Sequence, residues 1–136
     1  MSGTTPVTVD SLDHLVLAVR DIEATIAFYR DWLGMAAVTF GAGRRALAFG
    51  QQKINLHEAD REFDPPAIKA ARPVPGSADL CFLTSVPIAD VMARATALGI
   101  AIEEGPEPRT GALGRINSVY ARDPDGNLIE VSNRLY

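Results

Sequence analysis

The chain has 136 residues, 47% of them hydrophobic and 22% charged, with a formal net charge of −4. That is enough sequence for one domain with a real core, and its mild acidity without a Lys/Arg cluster argues against nucleic acid or an anionic membrane surface as partner. No apolar run approaches the roughly 20 residues of a membrane span. The opening "MSGTTPVTVD" lacks a secretory pattern, and Cys81 as the lone cysteine excludes an internal disulfide and fits a reducing cytoplasm.

In chain order, a strand is expected at about 12–19 and a helix after Asp21, whose carboxylate suits an N-cap. Ile22, Ile26, Tyr29 and Leu33 recur at helical spacing on one face, and Gly34 follows as a C-terminal cap. Strands follow at about 36–41, 45–50 and 53–58. "ADREFDPPAIKAARPVPGS" reads as a loop with four prolines. A strand at about 78–84 leads to a second helix, with Pro87 in its first turn and Ile88, Val91, Met92, Ala95 and Leu98 as its stripe before Gly99. Strands at about 100–104, 116–122 and 127–133 complete the chain, with "GPEPRTGALGR" read as a Gly/Pro-rich loop.

The two halves share this layout. A displacement of 65 residues lays Gly34 on Gly99 and His14 on Asp79; near the end, a displacement of 75 lays Asn55 on Glu130. Each half reads strand, helix, three strands. One such unit leaves a sheet face bare, and two can cover one another. The expected fold is α+β: two βαβββ modules forming an eight-stranded open trough with helices outside. Residues 1–136 then make a single domain, with module one at about 10–60, a linker at about 60–76 and module two at about 77–136.

Side chains alternate between faces along a strand. His14 and Asp79 therefore take matching places on the first strands, and Asn55 and Glu130 on the last. His57 lies two residues past Asn55 and shares its face. A histidine and two carboxylates converging in a cleft form an oxygen-rich site for one divalent ion, with Mn²⁺, Fe²⁺, Zn²⁺ and Ni²⁺ all chemically suitable. The expected metal ligands are His14, Asp79 and Glu130, and His57 could reach the same centre. Each residue also has a plainer reading: a strand histidine as a hydrogen-bonder, Asp79 as the cap of a turn, and Asp13 as a solvated carboxylate.

"LDHLVLAVRDIEATIAFYRDWLGM" resembles the opening of the vicinal oxygen chelate superfamily, which includes glyoxalase I, bleomycin- and fosfomycin-resistance proteins and extradiol dioxygenases. "RDPDGNLIEVSN" resembles its closing motif, so the resemblance spans about 12–133. Within it, "PVPGSADLCFLTSVP" and "IEEGPEPRTGALGRINSVYARDPDGNLIEVSN" look closest to the glyoxalase domain-containing protein 5 group and to virulence-associated bacterial proteins. The resemblance implies one divalent metal in the trough, with ligands on the first and last strands of the modules. His14 and Glu130 match the family's ligand types; Asp79 takes a place commonly held by histidine, and Asn55 one where glyoxalase I has a glutamate.

The function this implies is a metal-dependent enzyme acting on a small substrate with vicinal oxygens, by glyoxalase-like lyase or isomerase chemistry or by dioxygenase chemistry. Glu130 is the expected general base. Asn55, Arg109, Tyr120 and Arg122 are candidate substrate contacts, with Ser118 on the same strand face. Tyr120 as core and Arg122 as a surface ion-pair partner remain equal alternatives. The "EPRTGALGR" loop, with Arg109 and Thr110, is a candidate lid over an anion. Cys81 reads as buried filler, and Phe28 and Trp32 as packing or dimer contacts. The alternative function is a resistance-type protein that sequesters a small molecule. A homodimer is consistent with so small a trough.

Overall fold

The computed structural model describes residues 3, 5–61 and 69–136. Module one comprises β1 (His14–Val19), α1 (Ile22–Leu33), β2 (Ala36–Phe40), β3 (Arg44–Phe49) and β4 (Gln52–Glu58). Module two comprises β5 (Asp79–Leu83), α2 (Ile88–Ala97), β6 (Glu104–Thr110), β7 (Arg115–Arg122) and β8 (Leu128–Arg134). The strands fall into two four-stranded sheets, ordered β1-β4-β3-β2 and β5-β8-β7-β6. This is the expected α+β pair of βαβββ modules. The centre of the expected linker, 62–68, lies outside the described residues.

Local chemistry explains the helix ends. Asp21 accepts a hydrogen bond from the Ala24 amide at 3.0 Å, satisfying one of the donors that a helix start leaves open. Gly34 closes α1 at φ 68°, its amide bonding back to the Arg30 carbonyl. Pro87 caps α2 at its start without a side-chain bond.

The expected register also holds. Val16 pairs with Asn55 in the parallel β1–β4 ladder, and Cys81 pairs with Glu130 in the parallel β5–β8 ladder. His14 and Asp79 open their strands two residues before those pairs. The repeat read from the sequence is thus a repeat of hydrogen-bond register.

One strand departs from expectation. A strand at about 100–104 and a loop across "GPEPRTGALGR" were expected, but β6 runs Glu104–Thr110 and only 111–114 is loop. The cause is position: β6 is an edge strand, so Pro106 and Pro108 cost the sheet no interior ladder bond. A register shift between Glu104 and Glu107 accommodates the irregularity. Arg109 and Thr110 therefore belong to a strand rather than a lid.

The helix-side faces of both sheets and both helices share one core. Leu17, Val19, Leu47, Ile54 and Leu56 of module one pack in one cluster with Val119, Ala121, Ile129 and Val131 of module two, and with Ile26, Tyr29, Trp32, Val91 and Ala95 of the helices. Each large side chain buried in this way contributes about 1.5–3 kcal/mol. Trp32 donates to the Val91 carbonyl at 3.0 Å, so it is a packing residue between the helices. The Tyr29 hydroxyl donates to Asp123 at 2.6 Å, tying α1 to the β7–β8 turn. Asp123 also accepts from the Asn127 side chain and from the Asp125 and Asn127 amides, making the expected "DPDGN" turn a buried polar knot.

Candidate functional site

Because the core claims the residues on one side of each sheet, strand alternation sends the polar candidates to the other side. His14, Asn55 and His57 share the open face of the first sheet. Asp79, Glu130 and Tyr120 share the open face of the second.

On the second sheet, Asp79, Arg109, Tyr120, Arg122 and Glu130 line one cavity of about 480 Å³, together with Glu103 and Glu104. Ser118 donates to a Glu130 oxygen at 2.6 Å and bonds Ser132 at 2.7 Å, and both serines are fully buried. Tyr120 stands directly across from Glu130 in the β7–β8 ladder. Its phenol is held above its ordinary range by burial and then by its hydrogen bond to Glu130, with Arg109 opposing. Arg109 in turn donates to the Tyr120 oxygen at 3.1 Å and to Glu107 at 2.9 Å. Arg122, which also lines this cavity, pairs with Glu103 at 2.9 Å.

Cys81 corrects the sequence reading. It is exposed rather than buried filler, with its sulfur 3.5 Å from the Ser132 hydroxyl. Partial desolvation, countered by Ser132 and reinforced by the charges of Glu130 and Asp79, pushes the thiol up and away from nucleophilic use.

On the first sheet, Asn55 is 5% exposed, and its side-chain oxygen has no hydrogen-bond partner. A buried acceptor left open in this way costs free energy until a donor or a cation meets it. The Asp13 carboxylate lies 2.8 Å from His14 Nδ1. Asp13 stays solvent-exposed as expected, yet it orients the imidazole so that Nε2 is the free face. His57 lines a separate cavity with Val16 and Ala18.

Asp79 and Glu130 line one cavity, and His14 is not among the described residues that line it. Among the described residues no three His, Cys, Asp or Glu side chains gather closely enough to hold a metal ion. Sequence reasoning had placed Ser118 on the cavity face but missed Ser132 and its bond to Ser118. Their spacing at two residues from Tyr120 and from Glu130 was the available signal.

The family model of the glyoxalase/bleomycin resistance protein/dioxygenase superfamily matches residues 11–131. The chain belongs to this superfamily. It is 60% identical over 124 residues to the virulence protein STM3117 of Salmonella typhimurium, covering 91% of this chain and 84% of that protein. It is 54% identical over 125 residues to the glyoxalase domain-containing protein RDO1 of Mycosarcoma maydis, covering 92% and 69% of the two chains. The crystal structure of STM3117 superimposes with a TM-score of 0.89 at 58% identity, covering 95% of this chain and all of that one. A lactoylglutathione lyase from Agrobacterium tumefaciens superimposes with a TM-score of 0.71 at 26% identity, covering 93% and 95%. In this superfamily member, as in the sequence reading, no helix of the described residues is long and apolar enough to cross a membrane.

Proposed function

We propose that this protein is a metal-dependent enzyme acting on a small substrate with vicinal oxygens, by lyase or isomerase chemistry in preference to oxygen insertion. Its site is assembled from two copies of the chain. The first sheet of one copy supplies His14 and Asn55; the second sheet of the other supplies Asp79 and Glu130. The observation that carries this reading is the shared register, which sets these four N and O donors at equivalent points of two half-sites.

The residues fit such an ion. Asn55 presents a buried oxygen without a donor, His14 presents Nε2 with Asp13 behind it, and the carboxylates complete a donor set suited to Zn²⁺, Ni²⁺, Mn²⁺ or Fe²⁺. Bound there, a divalent ion supplies Lewis-acid polarisation of two adjacent substrate oxygens. Glu130 moves the substrate proton as general base, its oxygens oriented by Ser118 and Tyr120. His57 shares the Asn55 face and reaches substrate or takes the fourth coordination place. Similarity to a lactoylglutathione lyase supports the lyase or isomerase branch.

Asn55 also favours a second reading, a protein that sequesters a small molecule, because an amide is a weaker ligand than the glutamate at the equivalent register point. That reading expects ligand-induced thermal stabilisation that is indifferent to added metal.

Mixing two inactive variants tests the shared metal site, and ligand-induced stabilisation with and without added metal separates the two readings. His14→Ala ruins the first half-site and Glu130→Gln the second. In a mixed dimer one of the two sites pairs the intact halves, so random mixing restores about a quarter of the wild-type metal sites. Restoration of none, with each variant folded and dimeric, overturns the shared site.

A further inference from the structure

A cavity of about 370 Å³ lies between β1, β3 and the segment 69–78, apart from the Glu130 cavity. Arg44, Lys69 and Arg72 stand at its edge, and Val16, Pro73 and Val74 form an apolar wall. No Asp or Glu is among the described residues that line it. None of the ion pairs among the described residues uses Arg44, Lys69 or Arg72. The chain as a whole carries a net charge of −4, and Arg20, Arg30, Arg45, Arg109 and Arg122 each pair with a carboxylate.

The rim is held in place. Gly76, at φ 84°, lets the segment run against the Asp125 carbonyl, where an added Cβ would come to 2.6 Å. The Ala78 amide donates to the Asn127 side chain at 2.9 Å, fixing the segment to the buried turn. Arg44 sits 4.8 Å over the Phe40 ring, which orients its guanidinium without neutralising it. Three cations with no carboxylate among the described residues lining the cavity, beside an apolar wall, match a small organic anion: charged at one end and apolar at the other.

We propose that this cavity recognises the carboxylate or phosph(on)ate group of a small organic acid, through Arg44 and Arg72 with Lys69 adding to the field. Val16, Ala18 and His57 also line it, so it adjoins the half-site of His14 and Asn55. It thereby names the charged end of the substrate; that assignment rests on the proposed enzyme reading, whereas the binding itself does not.

Calorimetry with phenylphosphonate and benzoate, and with neutral benzyl alcohol for comparison, tests it. At least one anion is expected to bind with an affinity that falls as salt rises, and which one binds better decides between phosph(on)ate and carboxylate. The double variant Arg44→Gln, Arg72→Gln is expected to weaken binding at least tenfold, and Arg44→Lys to recover part of it, while Arg30→Gln on the outer face of α1 leaves it unchanged. Because both target residues are exposed, the double variant keeps the wild-type unfolding temperature. Equal binding of benzyl alcohol, or undiminished anion affinity in the double variant, overturns the proposal. Glu130→Gln distinguishes the two readings: unchanged metal retention and turnover in that variant, with anion affinity also retained, removes the enzyme reading and leaves this site standing.

Discussion

Ser118 gives its hydroxyl proton to Glu130 at 2.6 Å across the β7–β8 pair, and Ser132 stands behind Ser118 at 2.7 Å. With Tyr120 on its other flank, the carboxylate is oriented before any substrate arrives. Such preorganisation belongs at a reacting centre more than in a structural strand. Ser118→Ala is expected to weaken metal retention about tenfold or more, with little change in the fold. Metal content after dialysis measures it, and retention equal to wild type removes Ser118 from the site.

Tyr29 and Asp123 join the modules through a buried hydrogen bond. Tyr29→Phe leaves Asp123 short of a donor and is expected to cost about 1.5–3 kcal/mol in denaturant unfolding.

The same pair sets a pH dependence. Burial, and then the Asp123 charge, push the Tyr29 phenol far above its ordinary value, so the folded state keeps this proton while the unfolded chain loses it above pH of about 10. Its contribution is whole below that pH and is lost as pH rises, at about 1.4 kcal/mol per pH unit. In Tyr29→Phe, the alkaline fall in stability should be shallower by that slope. Parallel curves for the two proteins would reject the assignment.

Trp32 is the sole tryptophan, and it bonds the Val91 carbonyl inside the core. Its emission should therefore be that of a buried indole and shift to the red on unfolding. Trp32→Phe keeps much of the ring packing but loses that hydrogen bond, while the carbonyl keeps its helical partner. A loss of about 0.5–1.5 kcal/mol from the hydrogen bond is expected by circular dichroism.

Gly76→Ala places a Cβ against the Asp125 carbonyl at a positive φ. The expected cost is about 1–3 kcal/mol. Thermal unfolding reports it, and a parallel loss of anion binding would show that the rim has moved.

The sequence by itself determined the modules. Helical spacing with Asp21 and Gly34 at its ends fixed α1, and matched spacing across the repeat placed His14 on Asp79 and Asn55 on Glu130; these are local and period-2 properties that the chain carries wherever it folds. It did not reveal β6, because Pro106 and Pro108 look like loop until an edge position makes them harmless. Nor did it reveal the Ser132 bond to Ser118, or that Cys81 is exposed, since each depends on which strands become neighbours. Most of all, the tertiary structure decided which side chains share a cavity. Strand alternation names a residue's side of its own sheet, but only the packing of β6, β7 and β8 with β5 brings Asp79, Arg109, Tyr120 and Glu130 to one cavity.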